Sequence, residues 1–352
     1  MKIQRLILAL VGTLLVHVGT SAAQTAPVLN PPLHLPEMPL HDPYILAHKA
    51  SKTYYLYTSN NAQMSGATGV GTMVYKSKDL RNWEKPIPVF LVPPTAFAQQ
   101  GAWAPEVHEY RGKYYLFTTL YNEQKVIQAD ARFGTFARGT IVAVSESPDG
   151  PFRMLDEKSA VPPADFMTLD GTLYIDKNNK PWMVYAHEWV QKIDGTMEAI
   201  PMKPDLSAAD GPPIHLFKAS DAPWLNASIT PSVRGLDYVT DGPQLFRTRD
   251  GHLLMLWSSY ENGSYVETHA RSKSGELSGP WEQLEPLVKG DSGHGMLFHT
   301  FEGQLMMVIH RPFRRARGKL YEMADRGDHL EVVRERTDLD GETNPVGDLG
   351  AR

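Results

Sequence analysis

Five short apolar clusters recur along the chain, at residues 54–57, 114–117, 182–185, 253–256 and 305–308, with spacings of 60, 68, 71 and 52 residues. Each follows a polar turn: Ser51-Lys52, Arg111-Gly112-Lys113, Asn178-Asn179-Lys180, Arg249-Asp250-Gly251 and Glu302-Gly303. Ahead of most turns lies another strand-like run, as in Tyr44-Ile45-Leu46, Leu173-Tyr174-Ile175, Gln244-Leu245-Phe246 and Met296-Leu297-Phe298. Apolar runs of this length bounded by turn formers read as β-hairpins, repeated five times. Further runs at 74–77, 141–144 and 268–272 read as third strands, each leading to a turn such as Ser147-Pro148-Asp149-Gly150 or Ser278-Gly279-Pro280-Trp281. A four-stranded unit repeated five times predicts an all-β fold, a five-bladed β-propeller. A β-sandwich has comparable strands but no reason for the five-fold count. The propeller is expected over most of residues 35–345, as a single domain within 24–352. Residues 24–35 read as an extended lead-in, the stretches 121–139 and 190–235 as inserted loops, and the tail after Thr337 as a loop.

Three aspartates, Asp42, Asp170 and Asp241, each stand twelve residues before the start of an apolar cluster. In a propeller the first strand of every blade lines the channel, and all first strands begin on one face. The common offset therefore predicts three carboxylates from blades one, three and four converging at the channel mouth. Glu188, at the end of blade three's second strand, joins them. An Asp before Gly or Pro also caps turns, and Asp42-Pro43, Asp170-Gly171 and Asp241-Gly242 each fit that use alone. Three at one offset beside aromatic residues favour a site. Hydrolysis of a glycosidic bond uses such carboxyls: one donates a proton, one activates water, and a third tunes the donor. Trp103, near the start of blade two, is expected beside Asp42 at this mouth, where its ring suits the C–H face of a sugar. Trp189 and Trp257 are lesser candidates, while Trp83 and Trp281 sit at outer turns and read as structural. His294, eleven residues before Leu305, is expected to point into the channel. His310 and Arg311 end blade five's second strand and are candidate contacts for sugar hydroxyls.

The amino terminus adds a destination. Lys2 and Arg5 precede a thirteen-residue apolar run at 6–18, too short to span a bilayer comfortably, and Ser21-Ala22-Ala23 offers a cleavage site before Gln24. Residues 1–23 thus read as a signal peptide for export to the periplasm or beyond. The chain has no cysteine, so the exported domain is held by its core alone. Without Lys2 and Arg5 the formal charge is −7, from 33 basic and 40 acidic residues. That balance, with no long basic run, argues against nucleic-acid binding. No later segment is apolar enough to cross a membrane, and a monomer is expected.

The segments His41-Asp42-Pro43, Trp103-Ala104-Pro105-Glu106, Leu169-Asp170-Gly171-Thr172, Thr240-Asp241-Gly242-Pro243 and Gly293-His294-Gly295-Met296, in this order, resemble glycoside hydrolase family 43, an inverting five-bladed propeller family. The resemblance implies that Asp42 is the general base and Asp170 the carboxylate that modulates the acid. It also implies that Trp103 shapes the sugar pocket and that His294 contacts a central calcium ion or a water cluster, with no organic cofactor. One departure matters. The family's acid is usually a Glu in a Glu-Gly-Pro segment, and here the position holds Asp241, one methylene shorter. Either Asp241 serves as the acid or Glu188 reaches in from blade three; the need for reach favours Glu188. The expected activity is release of a terminal sugar from plant polysaccharide side chains, foremost α-L-arabinofuranose. A β-xylosidase, an exo-β-galactosidase and a non-catalytic glycan-binding propeller are the alternatives.

Overall fold

The computed structural model describes residues 31–128, 134–225 and 238–341. The chain divides into Met1–Pro31 and Pro32–Arg352, and every strand belongs to the second unit. The expected signal peptide lies outside the described residues, as does most of the lead-in.

Five four-stranded antiparallel sheets follow one another, each in simple sequence order. Blade one comprises Tyr44–His48, Thr53–Ser59, Gly71–Ser77 and Ile87–Leu91. Blade two comprises Gln100–Tyr110, Lys113–Gln128, Thr135–Ser145 and Arg153–Met154. Blade three comprises Thr168–Ile175, Pro181–His187, Thr196–Pro201 and Ile214–Lys218. Blade four comprises Asp241–Arg247, Leu253–Glu261, Ser264–Ser272 and Trp281–Gln283, and blade five Gly293–His299, Leu305–Arg311, Arg317–Asp325 and Leu330–Glu335. The first strands of neighbouring blades touch in a closed cycle.

All five apolar clusters fall on second strands. These strands are packed on both faces by adjacent blades, so apolar residues run continuously instead of alternating. Five interblade cores result. Tyr57 and Val74 meet Leu116 and Ile141; Phe117 and Val142 meet Met183 and Tyr185. Val184 and Met197 meet Met255 and Trp257, Leu254 and Leu256 meet Met307 and Ile309, and Met306 and Val308 close the ring on Leu56 and Tyr75. Among the described residues no strand is exchanged between the first and last blades. The segment before blade one clasps them instead: Leu33 pairs with Trp83 of blade one, and Pro39 with Arg317 of blade five.

Two expected loops are strands. Lys113–Gln128 and Thr135–Ser145 continue as a hairpin through Asn122↔Ala137 and Gln128↔Thr135. This arm projects past the blade, so its residues 123–126 are exposed and carry no apolar pattern. In 190–235, Thr196–Pro201 and Ile214–Lys218 are the outer strands of blade three. A buried glutamate, Glu198, interrupts the apolar pattern of the first of them. Residues 226–235 lie outside the described residues.

Candidate active site

One backbone device builds the channel mouth. In blades two to five the pairing of first and second strands slips between Trp103 and Glu106, Leu169 and Thr172, Asp241 and Gln244, and Gly293 and Met296. At each slip the residue two before the resumed pair is left-handed: Ala104 (φ 44°), Asp170 (56°), Gly242 (56°) and His294 (55°). Asp42 (φ 48°) occupies the same place in blade one, two before Tyr44, which pairs with Tyr57. Such bulges re-aim side chains next to active sites, and four non-glycine residues held left-handed at one ring of positions mark a functional mouth.

The equivalence inferred from the twelve-residue offset therefore holds for Asp42 and Asp170 but not for Asp241. Asp241 precedes the left-handed residue of its blade and corresponds to His41 and Trp103; the true counterparts are Gly242 and His294. The offset misled because it counted through hairpins of unequal length: Ala47 pairs with Tyr54, Tyr174 with Trp182, and Arg247 with Leu253.

A left-handed bulge exposes successive backbone N–H groups, and the preceding blade satisfies them. The N–H groups of Asp170 and Gly171 donate to Thr119 Oγ1 (2.9 Å) and Thr140 Oγ1 (2.8 Å) of blade two. Those of His294 and Gly295 donate to Ser258 Oγ (2.7 Å) and the Glu267 carboxyl (2.7 Å) of blade four. Gly242 N–H donates to Asp170 Oδ2 (3.1 Å), and Asp42 N–H to His310 Nδ1 (3.3 Å). Thr140→Val keeps the shape and leaves the Gly171 N–H buried without an acceptor. It should cost about 1–3 kcal/mol of stability, read as a lower urea midpoint at unchanged m-value; an unchanged midpoint would show that the bulge does not depend on this contact.

Three imidazoles surround Asp42. Its Oδ1 lies 3.0 Å from His41 Nδ1, 3.2 Å from His294 Nδ1 and 3.3 Å from His310 Nδ1. Burial alone would push this carboxyl up, but the histidines outweigh it and hold Asp42 well below the usual aspartate value, hence ionised. Asp170 and Asp241 go the other way. Burial, and then the charges of Asp241 and Asp42, raise Asp170 well above its usual value. Burial, and then the charge of Asp42, push Asp241 up to about 7, although Tyr265 Oη donates to its Oδ2 at 3.0 Å. Glu188 is buried, and burial raises its carboxyl, but the guanidinium of Arg138 is hydrogen-bonded to Oε1 and opposes the rise. Arg138 itself lies 4.8–5.3 Å over the rings of Phe136, Trp103 and Tyr121. Since the charges of Asp42, Asp170, Asp241 and Glu188 act on one another, the four carboxyls form one electrostatic unit.

The other expected residues divide. Trp103 packs against Tyr121, the rings tilted by 40° with centroids 4.6 Å apart, and, through Arg138, belongs to the Glu188 side of the cluster. Trp189 packs against the group of Val239, Tyr260, Tyr265 and Phe313 beside Asp241. His294 is buried and points at Asp42 and Asp170 (3.6 Å from Asp170 Oδ2). Two expected sugar contacts are corrected. His310 is completely buried and braces Asp42. Arg311 faces away on the alternate side of its strand, where Tyr321 and both oxygens of Glu335 hold its guanidinium. Trp257 is buried between blades three and four and is structural. Sequence reasoning missed His41, Arg138 and Tyr265. His41 stood in a quoted motif; the other two lie on third strands, where nothing local separates them from core residues.

The expected calcium ion finds a poor donor set. Calcium takes six to eight oxygens, whereas the metal-capable group found among the described residues is His41, Asp42 and His310, two nitrogens and one carboxylate. No step below runs through an ion.

The family model for glycosyl hydrolases family 43 matches residues 36–334. The chain belongs to this family. Among family 43 structures it resembles that of an endo-arabinase from Bacteroides thetaiotaomicron, at 38% identity and a TM-score of 0.75, covering 84% of this chain and 98% of that one. It is 25% identical over 166 residues to the extracellular exo-α-(1→5)-L-arabinofuranosidase of Cellvibrio japonicus, 44% of this chain and 42% of that protein. It is 27% identical over 161 residues to an extracellular endo-α-(1→5)-L-arabinanase of Bacillus subtilis, 43% of this chain and 44% of that protein. The match thus spans less than half the length of these two curated relatives. Family 43 membership agrees with the five blades and with the order of motifs read from the sequence.

Proposed function

We propose that this family 43 chain is an exported, inverting glycoside hydrolase that cleaves α-L-arabinofuranosidic bonds of plant polysaccharides and releases the terminal sugar. One feature carries the reading: within a single buried cluster of carboxyls, three imidazoles stand 3.0–3.3 Å from Asp42 and hold its carboxyl low, whereas burial and the charge of Asp42 push Asp241 up to about 7. That is the pairing of base and acid that inversion requires. Asp42 takes a proton from water as the water oxygen bonds to the anomeric carbon. The bond to the leaving oxygen breaks, and Asp241 gives that oxygen its proton. Asp170, accepting from Gly242 N–H, holds the Asp241-Gly242 backbone in place. Glu188, whose carboxyl is raised by burial and drawn back toward the ionised form by Arg138, adds negative charge near Asp241 and so favours its protonated form. This gives Asp241 the role that side-chain length had favoured for Glu188.

The arabinose specificity rests on the relatives, which are named as arabinofuranosidase and arabinanases. The 38%-identical structure, named an endo-arabinase, favours a second reading, internal cleavage. Incubation with debranched arabinan and with aryl arabinofuranoside, xyloside and galactoside, with products followed by NMR and chromatography, separates these readings. Free arabinose from the outset supports terminal release, early oligosaccharides support internal cleavage, and a product of retained configuration sinks the mechanism. Export rests on the pattern of residues 1–23, and the mature protein should begin at Gln24 on N-terminal sequencing.

Arg138 has its own test. Arg138→Gln removes the charge that draws Glu188 toward its ionised form, so less negative charge faces Asp241. The alkaline limb of the pH–activity profile should move to lower pH, and Arg138→Lys should restore it. A loss of activity at every pH with an unmoved limb would assign Arg138 to packing alone.

A further inference from the structure

Tyr265 and Glu267 stand two residues apart on the third strand of blade four and so share a face. That face meets the first strand of blade five, where glycines on either side of His294 allow a close approach. A Cβ on Gly293 would collide with the Tyr265 ring, and one on Gly295 would lie 2.9 Å from the Glu267 carboxyl carbon. Tyr265 Oη donates to Asp241 Oδ2 (3.0 Å). Glu267 Oε2 accepts from Gly295 N–H (2.7 Å) and from the Ser258 hydroxyl (2.6 Å), whose oxygen in turn accepts from His294 N–H (2.7 Å). One carboxyl therefore holds both N–H groups of this bulge, directly or through a single hydroxyl. The bulge aims His294 Nδ1 at Asp42 Oδ1 (3.2 Å) and Asp170 Oδ2 (3.6 Å).

Blade two shows that fastening such a bulge does not require a carboxyl. Ser258 and Glu267 pair across their strands as Thr119 and Thr140 do in blade two. There two hydroxyls, 3.3 Å apart, hold the Asp170 and Gly171 N–H groups. Glu267 is completely buried, and its Oε1 has no hydrogen-bond partner among the described residues. Burying such a group costs more than burying a hydroxyl. Burial also drives its carboxyl well above the usual value, toward the neutral acid. A neutral acid adds no negative charge to the four carboxyls at the mouth. Its gain is direction: two hydroxyls can exchange donor and acceptor roles, whereas Oε2, taking an N–H and an O–H together, leaves the Ser258 hydroxyl one orientation.

We infer that Glu267 is a positioning residue for hydrolysis: through Ser258 and the Gly295 N–H it fixes the bulge that holds the His294 imidazole against Asp42. With Tyr265, it makes the third strand of blade four a common brace for the acid and the base. The role rests on Asp42 being the base.

The test compares Glu267→Met, Glu267→Gln, His294→Ala and the double variant of Glu267→Met with His294→Ala, in the full mature chain on an aryl arabinofuranoside. Glu267→Met nearly keeps the volume and removes the acceptor, so kcat should fall by about 10- to 100-fold with KM nearly unchanged. Glu267→Gln keeps a neutral acceptor oxygen and should restore most of the rate. In the double variant kcat should match that of His294→Ala alone, because Glu267 acts through that ring. An unchanged kcat in Glu267→Met, losses that multiply in full, or a Glu267→Gln as slow as Glu267→Met overturns the role. Circular dichroism and the melting temperature verify the fold. If Glu267→Met does not fold, Ser258→Ala, which deletes a single oxygen, takes its place in the cycle with the same expectation. Asp42→Asn is measured alongside. If it retains activity, the base is wrong and this role falls with it; if it is inactive while the losses multiply, the role of Glu267 alone falls.

Discussion

Asp42→Asn should reduce kcat/KM by about 10³- to 10⁴-fold on arabinan and on activated aryl arabinofuranosides alike. The loss spans both substrates because every turnover of an inverting enzyme needs an activated water, however good the leaving group. The substitution is nearly isosteric, but an amide cannot accept the water's proton at neutral pH. Under the proposed mechanism, the three imidazoles that lie 3.0–3.3 Å from Asp42 and hold its carboxyl low are what would single it out from its neighbours as the base. Sugar affinity by calorimetry should survive, which separates lost chemistry from lost binding. A parent chain that binds the sugar and hydrolyses nothing, with an equally inert and equally binding Asp42→Asn, would turn the molecule into a glycan-binding propeller.

Asp241→Asn should split the substrates instead. Leaving groups that depart readily need little protonation, so aryl arabinofuranosides should retain most of their rate while arabinan loses about 10²-fold or more. Glu188→Gln is the comparison. If Glu188 only sustains the charge around Asp241, its loss should shift the pH profile and spare the arabinan rate at acid pH. If Glu188→Gln shows the split and Asp241→Asn does not, the roles are exchanged. The pH profile carries the same information. Asp241 is raised to about 7, so the donor is loaded below that pH and arabinan hydrolysis should fall as pH rises through it. The same shift bears on stability. Asp241 has a folded value above its unfolded one, so its contribution is fully present below the unfolded value of 3.8 and is lost as pH rises through about 7. A lower melting temperature at pH 8 than at pH 6, reduced in Asp241→Asn, would bear this out.

Much of this protein was readable from residue order alone. Second strands are buried on both faces, so their apolar clusters stand out and gave the five blades. The order of short motifs from His41-Asp42-Pro43 to Gly293-His294-Gly295 gave the family and three of the four carboxylates. Outer strands were less legible, because half-exposed positions leave weak patterns; the polar arm around Asn122–Glu123 read as a loop for that reason. What only the tertiary structure decided was position to within one residue, and electrostatics. Strand pairing placed Asp42, Asp170 and His294 on one ring of left-handed bulges and moved Asp241 off it by a single residue. Burial and neighbouring charges then pull identical side chains apart, holding the Asp42 carboxyl low and pushing Asp241 up to about 7. Both depend on which groups the ring of blades brings within a few ångströms. His310 and Arg138, 268 and 96 residues from Asp42 in the chain, acquire their roles only when the ring closes.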